Sequence, residues 1–356
     1  MKQVVRTNRG EVSVREAPLP RLEGSGAIVE TICSVFGAGS ELGGLRRARE
    51  AHQHGAVPDH VPLKECPMSY QSTGRIVELS ADLQDTYQIG DLVACAGIGF
   101  GFHAEYGYVP KNTMAHVPEG VPAEEAACNN VGLTALHILR RAQFQPGELI
   151  VIIGLGLVGQ FAAQLAAAFG GRAIGSDLHE LRLDTARACG IEAAVNPRTG
   201  DLAAEVVQRT GGLGADHVCI CVVQGSKALT QLAVRVVRYS GIVLLVGGYE
   251  ADFTGATDPE ANPHVKELDL RWVYGRGPGS RDPQWNYDGI DYPIRFLRWT
   301  ARTNLETFLH LQATGRIRTA PLLTHRFPVD RAGEAADLLI EHPDQALGVV
   351  LTYRRS

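Results

Sequence analysis

Between Leu149 and Asp177 the chain reads LIVIIGLGLVGQFAAQLAAAFGGRAIGSD, an order of residues that few folds accept. An unbroken apolar run, Leu149 to Ile153, meets a glycine cluster, Gly154, Gly156 and Gly159. An Ala/Leu/Gln segment with helical spacing follows, and a second short run ends in Asp177. The pattern is strand, tight turn, helix, strand, acid. In this reading Gly154 permits the sharp turn, Gly156 lets the backbone approach a pyrophosphate, and Gly159 lets helix and strand pack closely. Free N–H groups and the helix dipole then face the anion, so Gly154, Leu155, Gly156, Leu157, Val158 and Gly159 form a candidate phosphate cradle. Asp177 stands where a ribose 2′-hydroxyl needs an acceptor. The competing reading is a glycine-rich turn of some other α/β protein. A bilayer helix does not fit, because glycines and glutamines interrupt a run that would need about twenty mostly apolar residues.

A chain of 356 residues exceeds one ordinary core, so two domains are expected. With net charge −5 and no long basic run, neither a nucleic-acid nor an anionic-membrane footprint is expected. The start, MKQVVRTNRGEVSVRE, alternates polar and apolar residues and lacks the apolar core of a signal peptide, so the expected location is cytoplasmic. Seven cysteines, Cys33, Cys66, Cys95, Cys128, Cys189, Cys219 and Cys221, form no CxxC pair and read as reduced thiols.

Up to about residue 130 short alternating runs (VVRTN, EVSVREA, AIVETICSVFG, TGRIVEL, GDLVACAG, HAEYGYVP) are separated by Gly, Pro and Asp turns, which predicts a compact barrel-like β domain. The segment 43–62, with LRRAREAHQHG and the histidines His52, His54 and His60, is polar and either helical or mobile. From Val131 the period changes. LTALHILRRAQ is an amphipathic helix, and strand and helix then alternate through IEAAVN, DLAAEVVQRTGG, DHVCICV, SKALTQLAVRVV and GIVLLVGG, predicting a doubly wound parallel sheet with a sixth strand in ELDLRWVYG. Val223, just past DHVCICV, is grouped with the cofactor-binding residues. The last eighty or so residues break the alternation. A helix opening on a capping box, Thr303 to Glu306, and stopping at Gly315 is followed by a helix in RFPVDRAGEAADLLIEH and a closing strand in ALGVVLTY, which predicts that the tail returns to the first domain.

With these pieces placed, the chain resembles the medium-chain dehydrogenase/reductase superfamily over essentially its whole length. The matching stretches are GRIVEL, GDLVA, AEYGYVP, TALHIL, VIIGLGLVG, and PLLTHRFP with the following helix and LGVVLTY. The resemblance implies a GroES-like, β-rich catalytic domain from both chain ends (1–131 and 277–356) and an NAD-binding Rossmann domain between (132–276), with hydride transfer to or from nicotinamide. AGSEL at Ala38 to Leu42 and YQSTG at Tyr70 to Gly74 look like the zinc-lacking branch that includes bacteriochlorophyllide-type and sugar-biosynthesis dehydrogenases. DPQWNYDGIDYPIRFLRWT is similar to members of sugar metabolism.

The departures from the family pattern concern metal. Aligning AGSEL, YQSTG and NVGLT puts Ala38, Tyr70 and Asn130 at the three ligand positions of the zinc-dependent members, and the four-cysteine structural lobe is absent. A zinc ion needs three or four N, S or O donors, and alanine offers none. Cys66 and Cys128 lie near the lost positions and keep a displaced metal site in view. The expectation is a zinc-independent enzyme.

Oxidising an alcohol with NAD requires a group that takes the hydroxyl proton, and without zinc a side chain or water must do so. By position in the family, Ser40 occupies the place of the proton-relay hydroxyl and Glu41 the place of the acid, and Tyr70 stands where a ligand histidine would point into the cleft. Asn130, with Asn129, can hydrogen-bond a substrate hydroxyl but is no base. The competing readings are packing for Tyr70, a turn and a structural ion pair for Ser40 and Glu41, and a structural role for His103. On the cofactor side Arg182 falls near the adenosine ribose or is a solvated helix arginine, and Thr134 packs on the nicotinamide or bonds back to its own turn. Gly39 and Gly348 replace basic residues of some relatives. The acid at Asp177 predicts NAD over NADP. A polyol-like small-molecule substrate is expected from the polar and aromatic segment 280–299, and a homodimer or homotetramer from the edge strand Leu268 to Tyr274. A larger hydroxyalkyl substrate, an enone, or nucleotide binding without catalysis are the alternatives.

Overall fold

The computed structural model describes residues 1–58, 60–222, 224–254 and 257–353. The chain divides into two compact units, one of residues 1–133, 276–315 and 323–356 and one of residues 134–275 and 316–322.

The second unit is built on a parallel six-stranded sheet in the spatial order Ala193–Val195, Arg172–Ser176, Leu149–Ile153, Ala215–Ile220, Val237–Val246 and Asp269–Val273. The first strand in sequence lies in the middle and the chain winds outward from it in both directions. That arrangement creates a switch point beside the carboxyl end of Leu149–Ile153, where ligands of open α/β sheets bind. Every residue of that strand is buried, as a strand covered on both faces requires. Its Leu149, Val151 and Ile153 pack with Val218, Ile220, Val243 and Leu245 of the neighbouring strands. The helices stop and start on local chemistry. Asp201 accepts the N–H groups of Ala203 and Ala204 to open Leu202–Thr210, and Gly211 closes it in the left-handed region. The edge strand Asp269–Val273 leaves Trp272 exposed.

The first unit holds a sheet in the order Leu323–Pro328, Gly348–Thr352, Gly26–Val35, Gln71–Leu79, Leu92–Ala96 and Met114–His116, with Tyr106–Pro110 also paired to Gly26–Val35. A three-stranded sheet joins Val12–Glu16, Lys2–Thr7 and Glu65–Pro67. The C-terminal strand Gly348–Thr352 runs antiparallel to Gly26–Val35, so the tail returns to the β-rich unit.

Residues 43–53 of the polar segment are helical, one of its two readings, as the later part of the helix Ser40–Gln53, which places Ser40 and Glu41 in a first helical turn. Two local expectations change. The helix Ala301–Ala313 is capped three residues before the expected box, by Thr300, whose side chain accepts the Thr303 N–H. The segment 280–299 spends much of its chemistry on itself. Asp282 caps the short helix Pro283–Asn286 and accepts the Tyr292 hydroxyl at 2.6 Å, and Trp285 and Asn286 are buried. Those groups therefore offer little to a polyol.

Candidate active site and cofactor cradle

In the second unit the glycine motif forms the turn its sequence demands. Gly154 has φ +99°, a left-handed conformation that other residues resist. A Cβ on Gly159 would lie 2.0 Å from the Gly154 carbonyl oxygen, so only glycine lets the helix Leu157–Ala168 begin here. A Cβ on Gly156, the helix cap, would meet nothing within 4 Å. The backbone there borders open space, as an approaching pyrophosphate requires. Leu155 and Leu157 are buried, so the loop contributes main chain rather than side chains. Val223 lies outside the described residues.

Asp177 ends the next strand and ties the region together. Its Oδ2 accepts the Leu155 N–H at 2.8 Å and its Oδ1 accepts the His179 N–H at 3.0 Å. The Arg182 guanidinium stands 3.4 Å from Oδ2, so this arginine turns to the acid rather than to solvent. The glycine cradle, helix start and acid fit the adenosine diphosphate half of a nicotinamide dinucleotide. Thr134 is buried in the helix Asn129–Ala142, one turn after Asn130.

In the first unit Tyr70 is clamped by its backbone, its N–H donating to Gly101 O at 2.7 Å and its carbonyl accepting the Gly97 N–H at 2.9 Å. Its ring lies flat against Gly37, where a Cβ would come within 2.6 Å. The ring is buried, and the hydroxyl lies 3.4 Å from Ser40 Oγ and hydrogen-bonds the Asn130 side chain. Burial pushes the phenol above its ordinary range and the charge of Glu41 adds to that push. The bonds to Ser40 and Asn130 and the nearby Arg276 cation act against it without cancelling it. Ser40 itself is exposed, so the pair joins a buried acid to solvent. The separation is long for an O–H···O bond, as catalytic bonds often are before substrate arrives.

Glu41 points into a different cluster. It accepts the Gly37 N–H at 3.1 Å and lies 3.0 Å from His103 Nε2. His103 Nδ1 is 2.7 Å from Ser34 Oγ, which is 3.0 Å from the Tyr353 hydroxyl. Ser34 and His103 are fully buried, and this chain fixes the first turn that carries Ser40. Asn129 uses its amide to hold Ser72 O and Ala126 O, each at 3.0 Å, which is a structural task.

The donor set does not fit zinc. Ala38 packs on the apolar core, and among the described residues no three His, Cys, Asp or Glu side chains gather. Cys66 is exposed on the strand Glu65–Pro67, whereas Cys128 is fully buried. Burial drives the Cys33 and Cys128 thiols far up. Arg276 also belongs here, and the sequence reading passed over it. Its one signal is a lone cation amid the glycines of VYGRGPG.

Comparisons with known proteins bear on the fold and the class of enzyme. Residues 158–283 match a family model described as zinc-binding dehydrogenase, a span that contains none of Ala38, Tyr70 and Asn130. The chain is 27% identical over 302 residues to D-guloside 3-dehydrogenase of Escherichia coli strain K12, covering 83% of this chain and 80% of the relative. It is 26% identical over 275 residues to sorbitol dehydrogenase of Bacillus subtilis strain 168, covering 69% and 75%. The structure of an alcohol dehydrogenase from Thermus sp. ATN1 superposes with a TM-score of 0.75 at 23% identity, over 99% of this chain and 100% of the other, which shows the fold. Sheet order, cradle and sequence relatives are together those of the medium-chain dehydrogenase/reductase superfamily.

Proposed function

We propose that the protein is a zinc-independent, NAD(H)-dependent dehydrogenase interconverting a secondary alcohol and a ketone on a polyol. The observation that carries the reading is the Tyr70–Ser40 pair, a buried phenol 3.4 Å from an exposed hydroxyl, at a position where metal-dependent relatives place a zinc ligand. The relatives named for guloside and sorbitol support the polyol class.

When bound, the nicotinamide donates or accepts the hydride. Everything else falls to the chain. The Gly154–Gly159 loop presents main-chain N–H groups to the pyrophosphate, and Asp177 accepts from the adenosine ribose. Asn130 and Tyr70 hold the substrate oxygen. In the reducing direction the Tyr70 O–H donates its proton to that oxygen as the C–H bond forms, and Ser40 returns a proton to the phenolate from solvent. In the oxidising direction the same protons move outward. Because Tyr70 sits above its ordinary range, donation is the easier role at neutral pH.

A panel of polyols with NAD and of ketoses with NADH, read by nicotinamide absorbance, tests the assignment. Turnover of at least one polyol–ketose pair is expected. Turnover confined to enones or simple apolar alcohols would overturn it.

A further inference from the structure

Arg276 is a buried cation that no carboxylate among the described residues pairs with. It is 5% exposed, at the head of the segment that follows the second unit's edge strand. Its backbone is fixed on both sides, the N–H donating to Ser280 Oγ at 3.0 Å and the carbonyl accepting the Asn304 amide at 2.9 Å. Asn304 is fully buried on the helix Ala301–Ala313. The guanidinium Nη1 donates to Ala96 O at 2.5 Å, and the group lies over Gly97, where a Cβ would come within 2.7 Å of Nη2. Gly97 has φ +121° and donates its N–H to Tyr70 O, so the cation and the phenol share one small piece of backbone.

A guanidinium carries five N–H donors in a rigid fork, and among the described residues this one donates to the Ala96 carbonyl alone. Among the described residues its one electrostatic partner is the Tyr70 phenol, and burial lowers its affinity for the proton to a pKa of about 10. It therefore remains a cation at neutral pH. Proteins bury arginine at great cost unless an acid offsets it. A purely structural arginine would be expected to have such an acid, whereas one held ready for a charged ligand would lack it.

We propose that Arg276 anchors a carboxylate of the substrate, so that the enzyme takes polyol acids, aldonates or uronates, in preference to neutral polyols. Bidentate pairing of guanidinium and carboxylate would offset the buried charge and set the hydroxyl-bearing carbon against Tyr70. One cation matches one negative charge, which favours a carboxylate over a phosphate dianion. The proposal rests on the polyol-dehydrogenase reading for the identity of the ligand as substrate, and its test separates the two.

Direct calorimetric titration of the NADH-loaded protein with gluconate, glucuronate, sorbitol, glucose and glucose 6-phosphate reads binding whether or not turnover occurs. At least one of the two acids is expected to bind tenfold or more tightly than its neutral counterpart and than the phosphate. Arg276→Met should abolish that preference while leaving NADH binding unchanged, and Arg276→Lys should restore part of it. In steady state the effect should fall on KM for the acid. Equal binding of acid and neutral partner by the wild type, tighter binding of the phosphate, absence of binding by both acids, or an unchanged acid preference in Arg276→Met would each overturn the proposal. Acid-selective binding with no turnover of any panel member would sustain the anion site and sink the dehydrogenase reading.

Discussion

At the scale of single residues the account depends on Tyr70. Its ring is wedged against Gly37 and its backbone is held at both ends, so loss of the hydroxyl should change chemistry rather than packing. Tyr70→Phe is predicted to lower ketone reduction roughly 10²- to 10⁴-fold, the usual cost of a lost acid/base group, with the NADH dissociation constant unchanged. Burial and Glu41 raise the phenol above its ordinary value of 10.0, against the pull of Ser40, Asn130 and Arg276. The protonated form therefore persists through neutral and mildly alkaline pH. The reduction rate should be flat there and fall only beyond the ordinary phenol range, while oxidation, which needs the phenol to accept, should rise with pH. A reduction profile that falls near neutrality would assign the proton to another group. Asp177 sets the second prediction. Its oxygens hold Leu155, His179 and Arg182 with acceptor capacity left for a ribose hydroxyl, and Asp177→Ala would leave Arg182 facing the ribose position. The ratio of NADPH to NADH dissociation constants should then fall about tenfold or more, about 1.4 kcal/mol, by fluorescence titration. An unchanged ratio would remove Asp177 from cofactor choice.

At the scale of elements, the glycine turn separates folding from binding. Gly159→Ala would drive a Cβ into the Gly154 carbonyl, so it should lower the thermal midpoint and NADH affinity together. Gly156→Ala meets open space, so it should melt normally while weakening NADH binding, because its Cβ enters the pyrophosphate's path. Parallel melting curves and NADH titrations check both, and normal NADH affinity in Gly156→Ala would move the phosphate elsewhere. These elements were legible in the sequence because a strand buried on both faces is a continuous apolar run and each helix carries its own punctuation. The strands Glu65–Pro67 and Met114–His116 were not, since three residues show no period. The Thr300 cap was missed because Thr303 and Glu306 imitate a capping box one turn inside the helix.

At the scale of the whole molecule, the legible part of the site is the part that is local in sequence. The cofactor cradle occupies one continuous stretch with its acid, so spacing alone exposes it. The buried chain Glu41–His103–Ser34–Tyr353 draws on residues hundreds of positions apart, which no single-sequence pattern joins. Arg276 is legible only once its burial beside Ala96 and Gly97 is known. Ser40 and Tyr70 were reached through the family pattern, and the structure adds that one is exposed and the other buried. The central claim is that this superfamily fold moves the substrate proton through hydroxyls where its metal-dependent relatives use zinc. The direct measurement is the rate of NADH oxidation with the best ketose of the panel, before and after exhaustive chelation, with elemental analysis of the same sample. The account predicts an unchanged rate and well under one zinc per chain; loss of activity on chelation that added zinc restores would contradict it.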